Sequence, residues 1–340
     1  MYRMNQYAAS ASSLIALSLV LGLSSVSLAK ISRQAHLMGT AFTIIISDDI
    51  PESQSVQIMG QAFAEVARIE SLMSEWLPDS EISLVNRNAG RLVTKVSAET
   101  VAVVSSALTV SRMSKGAFDP SWASLRGLWS FKLDKPKLPK RSELLTRLKS
   151  VDYQKIRVSK KDRTIYLTEP GMALGLGAIA KGYAIDRVKA LLRDQGIENF
   201  IVDGGGDLYA SGQKIDGPWT VGIRHPRQAG LLMEFPIQDR AIVTSGDYER
   251  FFMLGARRYH HIIDLKTGMP AERSVSVTIL ADDAVFADSI ATAVFVLGPV
   301  DGLQLIEKLP GVDAIILAPD GRIYHSTSLK LNLPDRWSPI

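Results

Sequence analysis

The sequence predicts an α+β fold of mixed, largely antiparallel sheets with flanking helices, in a single compact domain. Segments of strand chemistry and helical periodicity neither alternate strictly nor segregate into halves. Two short apolar runs, Ile156–Val158 and Thr164–Leu167, bracket Lys160-Lys161-Asp162 and read as a hairpin. No linker, low-complexity tract or tandem repeat divides the chain, and 340 residues suffice for one large domain or two intertwined ones. A doubly wound nucleotide fold is disfavoured on the same grounds.

The elements follow in order. Ala41–Ser47 holds Phe42, Thr43, Ile44, Ile45 and Ile46, a β-branched and aromatic run that predicts a strand. From Ser55 to about Met73, apolar residues at Val56, Met59, Phe63, Val66, Ile69 and Leu72 keep helical spacing, and Pro78-Asp79-Ser80 ends that helix. A second helix spans Ser97 to Met113 and stops at Lys115-Gly116. Residues 131–150, rich in Lys, Pro and Leu, form an excursion followed by a short helix. After Gly182 a helix runs to Asp194, with Gly196 as its stop. Strands are expected at Phe200–Val202, Trp219–Ile223 and Ala241–Thr244.

Composition narrows the chemistry. Hydrophobic residues make up 46% and charged residues 22%, the balance of a soluble globular protein. The formal charge of +4 is carried by scattered basic residues, so no nucleic-acid footprint is expected. Cysteine is absent, which removes thiol catalysis, disulfides, zinc–thiolate sites and iron–sulfur clusters. At the N-terminus, Arg3, an apolar stretch from about Leu14 to Leu23 and Ser27-Leu28-Ala29 read as a signal peptide over residues 1–29, leaving 30–340 as the working domain. The alternative is an uncleaved membrane anchor. Either reading puts the folded part outside the cytoplasm.

Polar chemistry concentrates in five segments. Leu174-Gly175-Leu176-Gly177-Ala178-Ile179-Ala180-Lys181-Gly182 sets glycines and a lysine ahead of a helix, where backbone N–H groups and the helix dipole favour an anion. It is not a Walker A loop, because the glycine spacing differs and no Ser or Thr follows Gly-Lys; a purely structural turn is the competing reading. Asp203-Gly204-Gly205-Gly206-Asp207 reads most simply as a hairpin turn or bulge. Thr244-Ser245-Gly246-Asp247-Tyr248-Glu249-Arg250 is a polar patch at a strand end. Tyr259-His260-His261-Ile262-Ile263-Asp264 places two of the five histidines side by side on a strand, where only one can face a given site. A neutral imidazole there suits a general base, and a satisfied strand histidine is the alternative. Finally, Asp288 and Thr292 stand four apart on a helix and offer two hard oxygens on one face, a pair suited to Mg²⁺. The alternative is an acid near a helix N-terminus beside a neutral Thr.

In this order the segments resemble the ApbE family of FAD:protein FMN transferases. The likeness runs from about Met38 to Gly298. It includes Met38-Gly39-Thr40, the stretch from Ser74-Glu75-Trp76 through Ser83 and Asn86, and Gly116-Ala117-Phe118-Asp119-Pro120. The resemblance implies an ApbE-like domain that binds FAD as substrate through Met38, Trp76, Ala117, Phe118, Asp119, the Gly175 position, Lys181 and Ile262. It implies Mg²⁺ held by Asp288, Thr292, Ala291 and the carbonyl of Ala178, with His261 as the catalytic base. Trp76 suits a flavin site because an indole stacks on an isoalloxazine ring.

The chain departs from the family pattern in places. Gly175 stands where Asp is common, so a carboxylate contact to the nucleotide is lost or passes to the backbone, and weaker FAD affinity is expected. Leu265 replaces a usual Pro, and Asp203 a common Asn. The implied reaction moves FMN from FAD onto a Ser or Thr hydroxyl of an acceptor protein, a membrane redox subunit or extracytoplasmic electron carrier, and releases AMP. The alternatives are an FAD pyrophosphatase that frees FMN and AMP, and a periplasmic flavin binder without activity.

Overall fold

Eight strands hydrogen-bond into one antiparallel sheet whose spatial order follows chain order. They are β1 (Ile31–Leu37), β2 (Thr40–Ile46), β3 (Phe200–Gly204), β4 (Leu208–Ser211), β5 (Arg240–Gly246), β6 (Ser276–Ala281), β7 (Asp313–Leu317) and β8 (Ile323–His325). This computed structural model describes residues 31–131 and 136–329. The signal-peptide segment 1–29 and part of the Lys-Pro-Leu excursion therefore lie outside the described residues.

The helices are α1 (Glu52–Met73), α2 (Glu81–Arg87), α3 (Ala98–Met113), α4 (Arg141–Leu148), α5 (Ala180–Asp194) and α6 (Ala284–Ile306). Helices α1, α5 and α6 pack over one face of the sheet. Ile44, Phe200, Val243, Ile279 and Phe295 are wholly or almost wholly buried there, in the main core. The opposite face is covered by a hairpin of Trp219–Arg224 and Leu231–Ile237, which packs on Ile201, Ile242, Leu280 and Ile315. The period-2 alternation is visible in β5, where Ala241 and Val243 face the helices and Ile242 faces the hairpin. Burying each such aliphatic side chain contributes about 1.5–3 kcal/mol.

The expected pairing is therefore observed, with two adjustments. The predicted strand at Trp219–Ile223 exists but lies in the covering hairpin, outside the main sheet. In α1 the expected core position Val56 is exposed, and Ile58 and Ala62 are buried instead. The hairpin of Ile156–Ser159 and Thr164–Leu167 forms as predicted, with Thr94-Lys95 as a third strand. Helix α6 is long and apolar enough to span a membrane, yet its residues are largely buried. Gly298, at φ 80°, and Pro299 break it into two helical pieces.

Candidate active site

The site is built where α5 and α6 begin, and the two N-termini cap each other. The Asp186 carboxylate of α5 accepts the Ala284 and Val285 N–H groups of α6 at 3.1 and 2.8 Å. In return Asp288 of α6 accepts the Gly182 N–H of α5 at 3.0 Å. Both acids satisfy donors that a helix start leaves orphaned. The approach is close because residue 182 is glycine: a Cβ there would stand 2.2 Å from the Ala284 carbonyl oxygen. Position 182 thus fixes how near Asp288 comes to Lys181.

Lys181 Nζ lies 2.6 Å from Asp207 and 3.4 Å from Asp288. Burial acts to lower its pKa, but the two carboxylates outweigh that and hold the ammonium above its usual range. Asp288 is itself pushed up to about 6, first by burial and then by the like charge of Asp207, with Lys181 acting in the opposite sense. The two shifts are compatible: Asp207 is the closer partner of the lysine, and Asp288 pays the repulsion. Asp203, in the same glycine turn, is also raised by burial and by Asp207, while accepting the Gly206 N–H at 2.7 Å.

Thr292 is the one residue from Ala287 to Val296, besides the half-buried Leu297 beyond, that is not fully buried. Its hydroxyl lies 3.5 Å from that of Ser245. Its oxygen and the Asp288 carboxylate are hard donors, without sulfur or imidazole, which is the chemistry of Mg²⁺. The Ala178 carbonyl is also available to ligate: it stands just before α5, outside the helical ladder, and among the described residues no donor is bonded to it. The donor set therefore fits a hard divalent cation that takes its remaining ligands from phosphate or water. Ala291 could contribute only its backbone carbonyl. It is a buried methyl inside α6 and has no side-chain oxygen to offer.

The two histidines separate as the alternation argument requires, but by a different route. His260 ends a short strand, is buried, hydrogen-bonds the Ala271 carbonyl at 2.9 Å and meets Phe295 edge-on. His261 falls just past the strand end, and its residue surface is exposed. Its pKa is pushed down to about 3 by the surrounding protein bulk, His260, Arg250 and Lys181. Solvent access moderates the first of these causes, and the direction stands: the imidazole is neutral at neutral pH. Ile262 is buried, and its N–H points at His260 Nδ1 at 3.4 Å.

Trp76 is 68% exposed, with the Arg126 guanidinium 5.2 Å from its ring centroid. Met38 and Gly39, at φ 51° and 73°, form the two-residue turn between β1 and β2, with Arg250 close to Gly39. Asn86 clamps the glycine loop: its amide donates to the Leu174 carbonyl at 2.9 Å and accepts the Leu174 N–H at 2.7 Å.

The segment 117–119 differs from expectation. Ala117 and Phe118 are buried, and the Asp119 carboxylate is consumed by the N–H groups of Ser121 and Tyr153 and the Ser121 hydroxyl. The side chains of these three residues are thus largely enclosed or engaged within the protein. Gly175 is likewise buried, with its N–H bonded to the Pro120 carbonyl at 2.8 Å. Sequence reasoning named Asp207 and Ser245 only within polar segments and gave neither a role in the site. An acid after three glycines was the available signal for Asp207.

An ApbE family model matches residues 38–316. The FAD:protein FMN transferase of Treponema pallidum (strain Nichols) is 33% identical over 315 residues, covering 88% of this chain and 87% of the relative. That of Vibrio cholerae serotype O1 is 33% identical over 316 residues, covering 88% and 93%. Among solved structures, the ApbE protein of Thermotoga maritima superposes with a TM-score of 0.80 at 30% identity, covering 88% of this chain and 98% of that one. The flavin transferase ApbE of Vibrio cholerae gives 0.77 at 30% identity, with the same coverage. On the span of the family match and the identity to these relatives, the chain belongs to the ApbE family.

Proposed function

We propose that this protein is an FAD:protein FMN transferase that moves FMN onto a Ser or Thr hydroxyl of an extracytoplasmic or membrane redox protein. The observation that carries the reading is Lys181 set 3.4 Å from Asp288 where α5 and α6 begin, with Thr292 one turn further along α6 and a neutral His261 close enough to feel the lysine charge, in a chain whose relatives bear that name over most of their length.

FAD is the substrate, and its pyrophosphate suits the ammonium of Lys181 and the dipoles of α5 and α6. The acceptor oxygen bonds to the phosphorus of the FMN half, the bond from that phosphorus to the oxygen bridging to AMP breaks, and AMP departs with the electron pair. His261 takes the proton from the attacking hydroxyl. Asp288, Thr292 and the Ala178 carbonyl would hold Mg²⁺, which supplies charge neutralisation at the phosphates when bound. Trp76, exposed beside Arg126, offers a face to the isoalloxazine. The apolar N-terminal segment supports export, with residues 30–340 as the catalytic domain.

The test incubates the protein with FAD, Mg²⁺ and a Ser/Thr-containing acceptor domain, followed by a denaturing gel under ultraviolet light. A fluorescent acceptor band that needs both FAD and Mg²⁺ is expected. AMP and free FMN without a band would make the protein a pyrophosphatase, and neither product would leave a flavin binder.

A further inference from the structure

Between Ala117 and Leu125 every residue is buried except Trp122. The side chains expected to meet the nucleotide here are thus enclosed, and Trp122 is the one residue of this segment left partly exposed. The ring is also fixed in place. Its Nε1–H donates to the Gly175 carbonyl at 3.0 Å, and Gly175 returns its N–H to the Pro120 carbonyl at 2.8 Å. A Cβ on residue 175 would stand 2.7 Å from the indole Cε2 and Cζ2 atoms. The indole therefore occupies the space a side chain at 175 would take, and a carboxylate there is incompatible with Trp122 as placed. Since its only polar atom is already satisfied by Gly175, the ring has nothing to offer a ligand except an apolar π surface. Beside it lies the glycine loop clamped by Asn86.

We propose that Trp122 is a substrate-binding residue of this protein, stacking a planar heteroaromatic ring of FAD where a polar side chain at position 175 would otherwise contact the nucleotide. The inference rests on the proposed function and assigns the glycine at 175 a cause: it makes room for the aromatic wall. Weaker FAD affinity does not follow from Gly175 in that case, because one contact replaces another.

The experiment measures FAD, ADP and FMN binding by titration calorimetry for the wild type, Trp122→Leu and Trp122→Phe, each checked for a native melting transition. Stacking by one base predicts that Trp122→Leu weakens FAD roughly five- to hundredfold, while Trp122→Phe stays within about threefold of wild type. Loss confined to ADP assigns the adenine ring, and loss confined to FMN assigns the isoalloxazine; both support the proposal. If Trp122→Leu does not fold, Trp122→Met carries the same comparison. Unchanged affinity for all three ligands overturns the proposal, as does a Phe variant as weak as the Leu one, which would make the Gly175 hydrogen bond the relevant feature. A wild type that binds no FAD would instead overturn the proposed function, and this inference with it.

Discussion

The Lys181 ammonium sits between two buried carboxylates, 2.6 Å from Asp207 and 3.4 Å from Asp288, and the lysine lies within the first turn of α5. One cation thus balances two acids that would otherwise repel each other. Lys181→Met leaves both uncompensated, and a loss of about 3–5 kcal/mol is expected from breaking such a buried network. Thermal melts without and with Mg²⁺ check this: the variant should melt well below wild type, and millimolar Mg²⁺ should recover part of the difference.

Asp288 titrates at about 6 in the folded state, above the ordinary 3.8. A raised carboxylate favours the folded state when protonated, so its contribution to stability falls as pH rises from about 4 to 6 and is flat above. Asp288→Asn keeps an acceptor for the Gly182 N–H and removes that dependence. Without metal the variant should melt no lower than wild type at pH 7, yet lose Mg²⁺-dependent turnover. Full turnover would remove Asp288 from the metal site.

The His261 pKa is pushed below its ordinary value by its packing and by His260, Arg250 and Lys181, so the imidazole is neutral at neutral pH. Any acid limb this residue gives the rate profile is then expected below pH 6.5. His261→Ala should slow transfer by roughly a hundredfold or more with FAD affinity retained. An unchanged rate would place the base elsewhere.

Asn86 satisfies both the N–H and the carbonyl of Leu174. Asn86→Ala frees the loop that carries Ala178 and leaves two backbone groups unpaired, at a cost of about 1–3 kcal/mol. The expected kinetic signature is a raised KM for FAD with a smaller change in kcat. Equal KM values would show that the loop holds its shape unaided.

Trp76 is the exposed indole beside Arg126. Its fluorescence should quench on FAD binding, and Trp76→Ala should weaken FAD. Quenching of equal depth in the variant would move the flavin away from this ring.

Much of the architecture was legible in the chain. Helices α1, α3 and α5 were placed to within a few residues by their apolar spacing and by Ser97, Gly182 and Gly196. The hairpin at 156–167 was marked by its polar turn, and β2, β3 and β5 by their β-branched runs. Strand β6 was not read out, although Ser276, Val277, Thr278 and Ile279 alternate polar and apolar side chains; in the fold all its residues, the polar ones included, are buried. Strand β1 was missed for the opposite reason. It is a sheet edge with mostly exposed residues, and pairing with β2 rather than burial makes it a strand.

The sequence alone determined the residue types of the site and their order, because the glycine run ending in Lys181-Gly182, His-His and Asp-x-x-x-Thr are local patterns. Tertiary structure decided which of them have free atoms. Asp119 is a helix cap, Ala291 a core methyl and His260 a satisfied ring, while Asp207 reaches Lys181 from a turn that looked ordinary. The physical reason is that a side chain's chemistry is local, whereas its remaining hydrogen-bonding capacity, exposure and charge neighbours depend on residues that meet only when the chain folds. Gly182 shows the link between the two: it is one glycine among 25 in the sequence, and the contact of α5 with α6 is what requires it.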